Sequence, residues 1–136
     1  MINLRIHTEF HFDYSDRGYG RLPRVVARIK ELGQGAAAIT DSTTFGHCSW
    51  FKECVKTGIK PLLGATIRVP LNDNSAKMTL IARNNAGLEE LYGLTSAAAS
   101  DAIDLEQVLR SSADVIKLTG MVHGLTKAQR KLLKAT

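Results

Sequence analysis

Residues 36–65, AAAITDSTTFGHCSWFKECVKTGIKPLLGA, leave this chain little freedom in what it can fold into. Ala36–Thr40 is an apolar run of strand length that ends in a polar turn, Asp41-Ser42-Thr43-Thr44. Phe45 to Thr57 reads as a helix, and Gly58-Ile59-Lys60-Pro61 stops it and launches a second apolar run, Leu62–Val69. Strand, loop, helix and strand in so short a span make one βαβ unit, which predicts parallel strands and a right-handed crossover. In such folds chemistry sits at the carboxyl ends of the strands. Asp41, Ser42 and the positions after Gly64 are therefore the first candidates.

The flanking sequence extends the pattern. Ile2–Ile6 is a short alternating strand that runs into His7-Thr8-Glu9-Phe10-His11. Residues 12–22 form a loop punctuated by Gly18 and Gly20. Pro23 suits the first turn of a helix with Val25, Val26, Ile29 and Leu32 as its buried stripe, until Gly33 ends it. Pro70–Ala76 reads as a polar turn and Met78–Ala82 as a fourth strand. Asn84-Asn85-Ala86-Gly87 is expected as a loop before an amphipathic helix carrying Leu88, Leu91, Leu94 and Thr95, with Ala97–Ser100 as a small-residue linker. Asp104 caps a short helix through Leu109, and Val115–Leu118 is a fifth strand closing on Thr119-Gly120. Thr126 caps a last helix, Lys127–Ala135. The expectation is one α/β domain over residues 1–136, an incomplete barrel of about five mostly parallel strands alternating with helices.

With 136 residues the chain can bury a real core, and 44% hydrophobic with 23% charged residues is ordinary for a soluble globular domain. No run of 18 apolar residues and no signal peptide is present, so a cytoplasmic protein is expected. Cys48 and Cys54 point to different faces of the predicted helix, as packing residues or free thiols in a reducing compartment. The net charge of +5 is unevenly placed. Residues 1–116 are balanced, and Lys117, Lys127, Arg130, Lys131 and Lys134 supply the excess. Positions 127, 130, 131 and 134 share one helical stripe, a candidate contact for DNA or an acidic partner beside its simpler reading as a solvated face.

Thr40-Asp41, Phe45-Gly46, Phe51-Lys52, Gly58-Ile59-Lys60-Pro61 and Gly64 resemble a family pattern, TD-x-x-N-x-x-G, an aromatic-rich helix, then A/T-G-I-K-P-I/L-x-G. It is that of the PHP (polymerase and histidinol phosphatase) domain at the amino terminus of bacterial replicative DNA polymerase III alpha subunits. Arg5-Ile6-His7-Thr8-Glu9-Phe10 matches that family's His-x-His-(S/T)-(E/D)-(Y/F) except at its first histidine. Residues 78–95 are similar to its L-T-L-L-A-x-N-x-x-G-Y-x-N-L-x-x-L, with Leu88 replacing the tyrosine, and residues 115–120 to its G-L-I-x-L-S-G. The 12–22 loop is about three residues longer than the family's Leu-Asp-Gly connection, so either Asp13 or Asp16 stands for its aspartate. The resemblance spans nearly the whole chain but only the first half of a PHP domain, and implies a truncated PHP-like barrel.

Active members of that family hold divalent ions with clustered His, Asp, Glu and sometimes Cys ligands and hydrolyse phosphoesters. On that resemblance His7, Glu9 and Asp41 survive here, whereas Arg5, Ser42, Thr66 and Lys77 occupy lost ligand positions. Arg5 and Lys77 would put fixed positive charge where cations belong, and Arg5 with Asp41 or Glu9 would pin the strand ends in place of a metal. The site is thus expected to be vestigial, with no catalytic residues, no metal and no cofactor. The implied role is binding, either to the replicative polymerase or its proofreading exonuclease subunit or as a mimic of part of the polymerase. Phage or mobile-element genomes are natural homes for such a fragment. An incomplete barrel also leaves an open edge, so a homo-oligomer or a partner is expected to cover it. The rival readings are a divalent-metal phosphoesterase or exonuclease using His7 and Asp41, and a DNA-binding accessory acting through the basic stripe.

Other constellations have simple readings. His11, His47 and Cys48 are possible further ligands beside His7 and Glu9, but no second spaced pair supports them. Ser42-Thr43-Thr44 reads as a cap more than as a phosphate cradle. Phe45, Trp50 and Phe51 have core spacing, and His123 lies in a glycine-flanked loop.

Overall fold

A computed structural model of the protein describes residues 1–12, 20–71 and 74–118, together with Lys127 and Lys131. The elements run β1 (Asn3–Ile6), α1 (Leu22–Glu31), β2 (Ala36–Ile39), α2 (His47–Thr57), β3 (Lys60–Leu71), β4 (Asn74–Ala82), α3 (Asn85–Ala99), α4 (Leu105–Leu109) and β5 (Val115–Leu118). The strands form one five-stranded mixed sheet in the order β1-β2-β3-β4-β5. The chain divides into two compact units, Met1–Ala65 and Thr66–Thr136.

The first unit holds the predicted βαβ core. β2 pairs parallel with β3, with Ala36 opposite Lys60 and Ile39 opposite Leu63, and β1 pairs parallel with β2, with Ile6 opposite Ile39. Gly58 ends α2 at φ +79°, a left-handed conformation open to glycine at little cost, and its N–H returns to the Val55 carbonyl. Ile6, Leu22, Val26, Ile29, Ile39, Trp50, Cys54 and Ile59 form the core. Leu22 takes the buried place expected of Leu32, which is 55% exposed because it is the C-cap, where Gly33 (φ +67°) turns the chain away. Phe45 and Phe51 are also exposed, against expectation. The inward face of α2 is His47, Trp50 and Cys54, spaced i, i+3, i+7.

Between β3 and β4 the strand–helix alternation is interrupted, and it resumes with α3 and α4 before β5. No helix separates β3 from β4, which are joined through residues 72–73 and lie side by side. Most of the expected polar turn at 70–76 is therefore strand, continuing a period-two pattern in which Ile67 and Val69 are buried and Arg68 is exposed. β4 and β5 pair antiparallel, Thr79 opposite Leu118 and Ala82 opposite Val115, in contrast to the parallel pairs β1–β2 and β2–β3. α3 begins earlier and ends later than its leucines suggest, taking in Asn85-Ala86-Gly87 and the expected linker at 97–99. Its N-cap is Asn84, whose Oδ1 accepts from Gly87 N at 2.9 Å while its Nδ2 donates to Asp114. Asp104 caps α4 as expected, accepting from Gln107 N at 2.7 Å. Lys127 and Lys131 are helical and exposed, whereas Arg130, Lys134, Thr119-Gly120, His123, Asp13 and Asp16 lie outside the described residues.

Candidate functional site

Because Ile6 and Ile39 are in register, the segments that leave β1 and β2 emerge together at the carboxyl end of the sheet. Residues 8–12 and 40–43 are laced side to side there. Thr8 donates its backbone N–H to Asp41 Oδ1 at 2.6 Å and its hydroxyl to Asp41 Oδ2 at 2.5 Å. The Ser42 N–H donates to His11 Nδ1 at 2.9 Å, and the Phe12 N–H donates to Ser42 Oγ at 2.8 Å. Thr43 Oγ1 donates to the Phe10 carbonyl at 2.9 Å. Thr8, His11 and Asp41 are buried, and so is His47 at the first residue of α2.

The hydrogen bonds define the imidazoles. His11 Nδ1 accepts, so its lone pair is committed, and its Nε2 is buried with no hydrogen-bond partner among the described residues. Its ring stacks on His7, centroids 3.7 Å apart and 7° from parallel. His47 Nε2 faces the Gly64 carbonyl at 2.8 Å, and since a carbonyl only accepts, Nε2 carries the hydrogen. Burial pushes the Asp41 carboxyl above its ordinary range, opposed by the two Thr8 hydrogen bonds and by His11 and His47. Burial likewise lowers His47 against the pull of the Gly64 carbonyl and Asp41.

The other sequence-derived positions have settings of their own. Glu9 Oε1 accepts from Leu22 N at 3.3 Å and so supplies the cap that α1 lacks at Arg21. Arg5 is exposed on β1. Thr66 and Lys77 belong to the second unit, where the Thr66 and Thr79 hydroxyls meet at 3.2 Å and Lys77 is half-buried. Lys117, counted in the basic excess, donates to the Ser111 and Ser112 carbonyls at 2.8 and 3.1 Å. Burial lowers its pKa, with Glu90 opposing. It acts as a tether beside the end of α4.

A divalent ion needs several anionic or neutral donors converging with open lone pairs. Among the described residues no three His, Cys, Asp or Glu side chains come together in that way. Asp41 presents both oxygens to Thr8, His11 presents Nδ1 to Ser42, and His47 presents an N–H to Gly64. Among the described residues, then, these donors do not converge on a divalent-ion site. What the sequence reading missed was Thr8, whose two donors take the carboxylate. Its polar side chain between Ile6 and Phe10 carried no hint of a partner 33 residues away.

The PHP domain family profile matches residues 4–132. DNA polymerase III subunit alpha of Vibrio cholerae is 30% identical over 145 aligned residues, covering 98% of this chain and 12% of that protein. Its Haemophilus influenzae counterpart is 31% identical, again covering 98% and 12%. That of Neisseria meningitidis serogroup A is 36% identical over 101 residues, covering 71% and 9%. The chain thus spans about an eighth or less of these relatives' length. Among solved structures, a protein described as a metal-dependent phosphoesterase from Bifidobacterium adolescentis aligns with TM-score 0.53 and 20% identity, over 82% of this chain and 39% of that one. An amidohydrolase from Chromobacterium violaceum aligns with TM-score 0.53 and 18% identity, over 71% and 34%. At those identities the likeness is one of fold.

Proposed function

Because this chain belongs to the PHP domain family, we propose that it is a catalytically inactive PHP-like domain serving as a replication-associated protein-binding module. It docks to the replicative polymerase or its proofreading exonuclease subunit, or mimics part of the polymerase. The observation that carries this reading is the reassignment of Asp41. In a phosphoesterase that carboxylate would offer its oxygens to a metal-bound water or to the metal. Here each oxygen accepts a hydrogen bond from Thr8, and the carboxylate laces two loops together. Relatedness to polymerase alpha subunits supports a partner in the replication machinery. Bacterial cytoplasm, including that of a phage-infected cell, is the corresponding setting, and no described helix is long and apolar enough to cross a membrane.

The test is affinity capture by the tagged protein of purified polymerase and exonuclease subunits, beside phosphoesterase and exonuclease assays with manganese or zinc. Stoichiometric capture with no metal-stimulated hydrolysis is expected. Hydrolysis that depends on His7 and Asp41 would replace this reading by the enzymatic one.

A second reading, binding of DNA through the basic stripe at 127–134, is favoured by Lys127 and Lys131, which are both helical and exposed. Charge reversal at Lys127, Arg130, Lys131 and Lys134 then abolishes binding, and affinity falls steeply with salt. Binding that survives the reversal removes this reading.

A further inference from the structure

Around the axis of α2, at 100° per residue, the buried residues His47, Trp50 and Cys54 are followed by Phe51, Val55 and Cys48. These three form one stripe at i, i+3, i+7, and all are exposed, Phe51 by 52% and Val55 by 56%. Lys52 and Lys56 border the stripe on its far side, exposed and one turn apart. Phe45, 73% exposed, precedes the helix. An amphipathic helix packed on a core usually turns polar immediately beyond its buried face. Here the apolar surface continues outward until it meets lysine.

The segment that carries the stripe is rich in exposed positive charge, and one of its cations, Arg28, is paired with Glu31. Between Arg21 and Lys60 seven Lys and Arg residues are exposed against one exposed acid, Glu31, while Asp41 is buried and Glu53 half-buried. The balance seen along residues 1–116 therefore hides a segregation. The compensating acids, among them Glu89, Asp104 and Glu106, are exposed in the second unit.

We propose that the Phe51–Val55–Cys48 stripe is a docking site for an acidic amphipathic segment of a partner protein. Its apolar side chains lie on the stripe, and carboxylates one turn apart meet Lys52 and Lys56. This rests on the protein-binding reading above and gives the partner a chemistry. Charge complementarity selects the occupant. The chain's own basic end, with Lys127 and Lys131 exposed, has charge of the wrong sign to be that occupant. A second copy presenting the same stripe about a two-fold axis brings lysines toward lysines. A nucleic acid would use the lysines and leave Phe51 and Val55 in water. A bilayer needs a longer apolar face than three residues on an 11-residue helix.

The experiment uses the full chain and two fluorescent model helices with the same leucine stripe, one rimmed with glutamate and the other with lysine. Cys48 serves as an internal reporter, because Cys54 is buried and burial, with Glu53, raises its thiol to about 11. The glutamate helix is expected to bind and to slow iodoacetamide alkylation of Cys48. Phe51→Asp/Val55→Asp is expected to weaken binding by on the order of tenfold or more. Lys52→Glu/Lys56→Glu is expected to lose the glutamate helix and gain the lysine one. All four positions are exposed, and circular dichroism melts check that the variants fold. The proposal is overturned if the glutamate helix fails to bind or leaves Cys48 reactivity unchanged. It is equally overturned if both variants bind like the parent, or if the stripe variants lose anionic vesicles or DNA instead. Capture of polymerase subunits separates the two readings. If Phe51→Asp/Val55→Asp captures them as the parent does, docking stands and the stripe fails. If the parent captures none yet binds the glutamate helix through the stripe, the stripe stands and the polymerase partnership fails.

Discussion

Thr8 grips Asp41 with both of its donors, N–H to Oδ1 at 2.6 Å and hydroxyl to Oδ2 at 2.5 Å. The two residues sit just beyond the ends of adjacent parallel strands, so the pair joins β1 to β2 where their hydrogen-bond ladder stops. A buried carboxylate held in this way is costly to lose from one side, since the remaining donors are left dry.

Asp41→Ala is expected to destabilise the protein by about 3 kcal/mol, because it strands the buried Thr8 donors. Asp41→Asn keeps one acceptor and should cost clearly less. Urea unfolding followed by the fluorescence of Trp50, the sole tryptophan, measures both. Equal losses in the two variants would mean that Thr8 contributes little.

Divalent ions should leave the thermal midpoint where it is in chelator. A site that bound manganese or zinc would add about 2.7 kcal/mol at a hundredfold excess over its dissociation constant. Differential scanning fluorimetry with EDTA, manganese and zinc reads this directly, and a midpoint raised by several degrees would restore a metal site.

The pH dependence follows from His47. Its pKa in the fold lies below its ordinary 6.5, chiefly through burial, so the folded state favours the neutral ring. Its contribution is complete above pH 6.5 and is lost as pH falls from there through the folded value, because only the unfolded chain takes up the proton. Asp41, whose pKa burial raises above 3.8, has the opposite sign, and its contribution is complete below that value and lost as pH rises through the folded one. Stability should therefore decline on acidification just below neutrality. His47→Gln should flatten that decline, and an unchanged slope would locate it elsewhere.

Gly87→Ala should destabilise the second unit by roughly 2 kcal/mol. A Cβ there would sit 2.1 Å from the Asp114 carbonyl oxygen, a backbone atom that cannot swing aside, so α3 would have to lift from β5. Ala substitution at Gly93, where a Cβ meets nothing within 4 Å, is the control and should be neutral or slightly stabilising. Equal melting temperatures for the two variants would contradict this packing.

Much of the chain was legible before any coordinates. Apolar runs, Gly58 and Pro61 define the βαβ unit, and Asp104 and Pro23 stand where helix starts need them. Phe45, Phe51 and Leu32 depart from the inward placement that their hydrophobicity suggests. A helix has one buried face, and the phase set by Trp50 and Cys54 on α2, and by Leu22, Val26 and Ile29 on α1, leaves those side chains outside. The polar stretch at 70–76 looked like a turn because strand pairing satisfies the backbone whatever the side chains are.

The sequence by itself determined the family and the α/β class, because these depend on residue identity and on periods of two and 3.6 that are local in the chain. The fate of the surviving polar groups was decided only by tertiary structure. Thr8 and Asp41 are 33 residues apart, and His47 and Gly64 are 17 apart. Which donor meets which acceptor depends on the register of Ile6 with Ile39 and of Ile39 with Leu63. Register is a property of packed strands, and no local pattern encodes it.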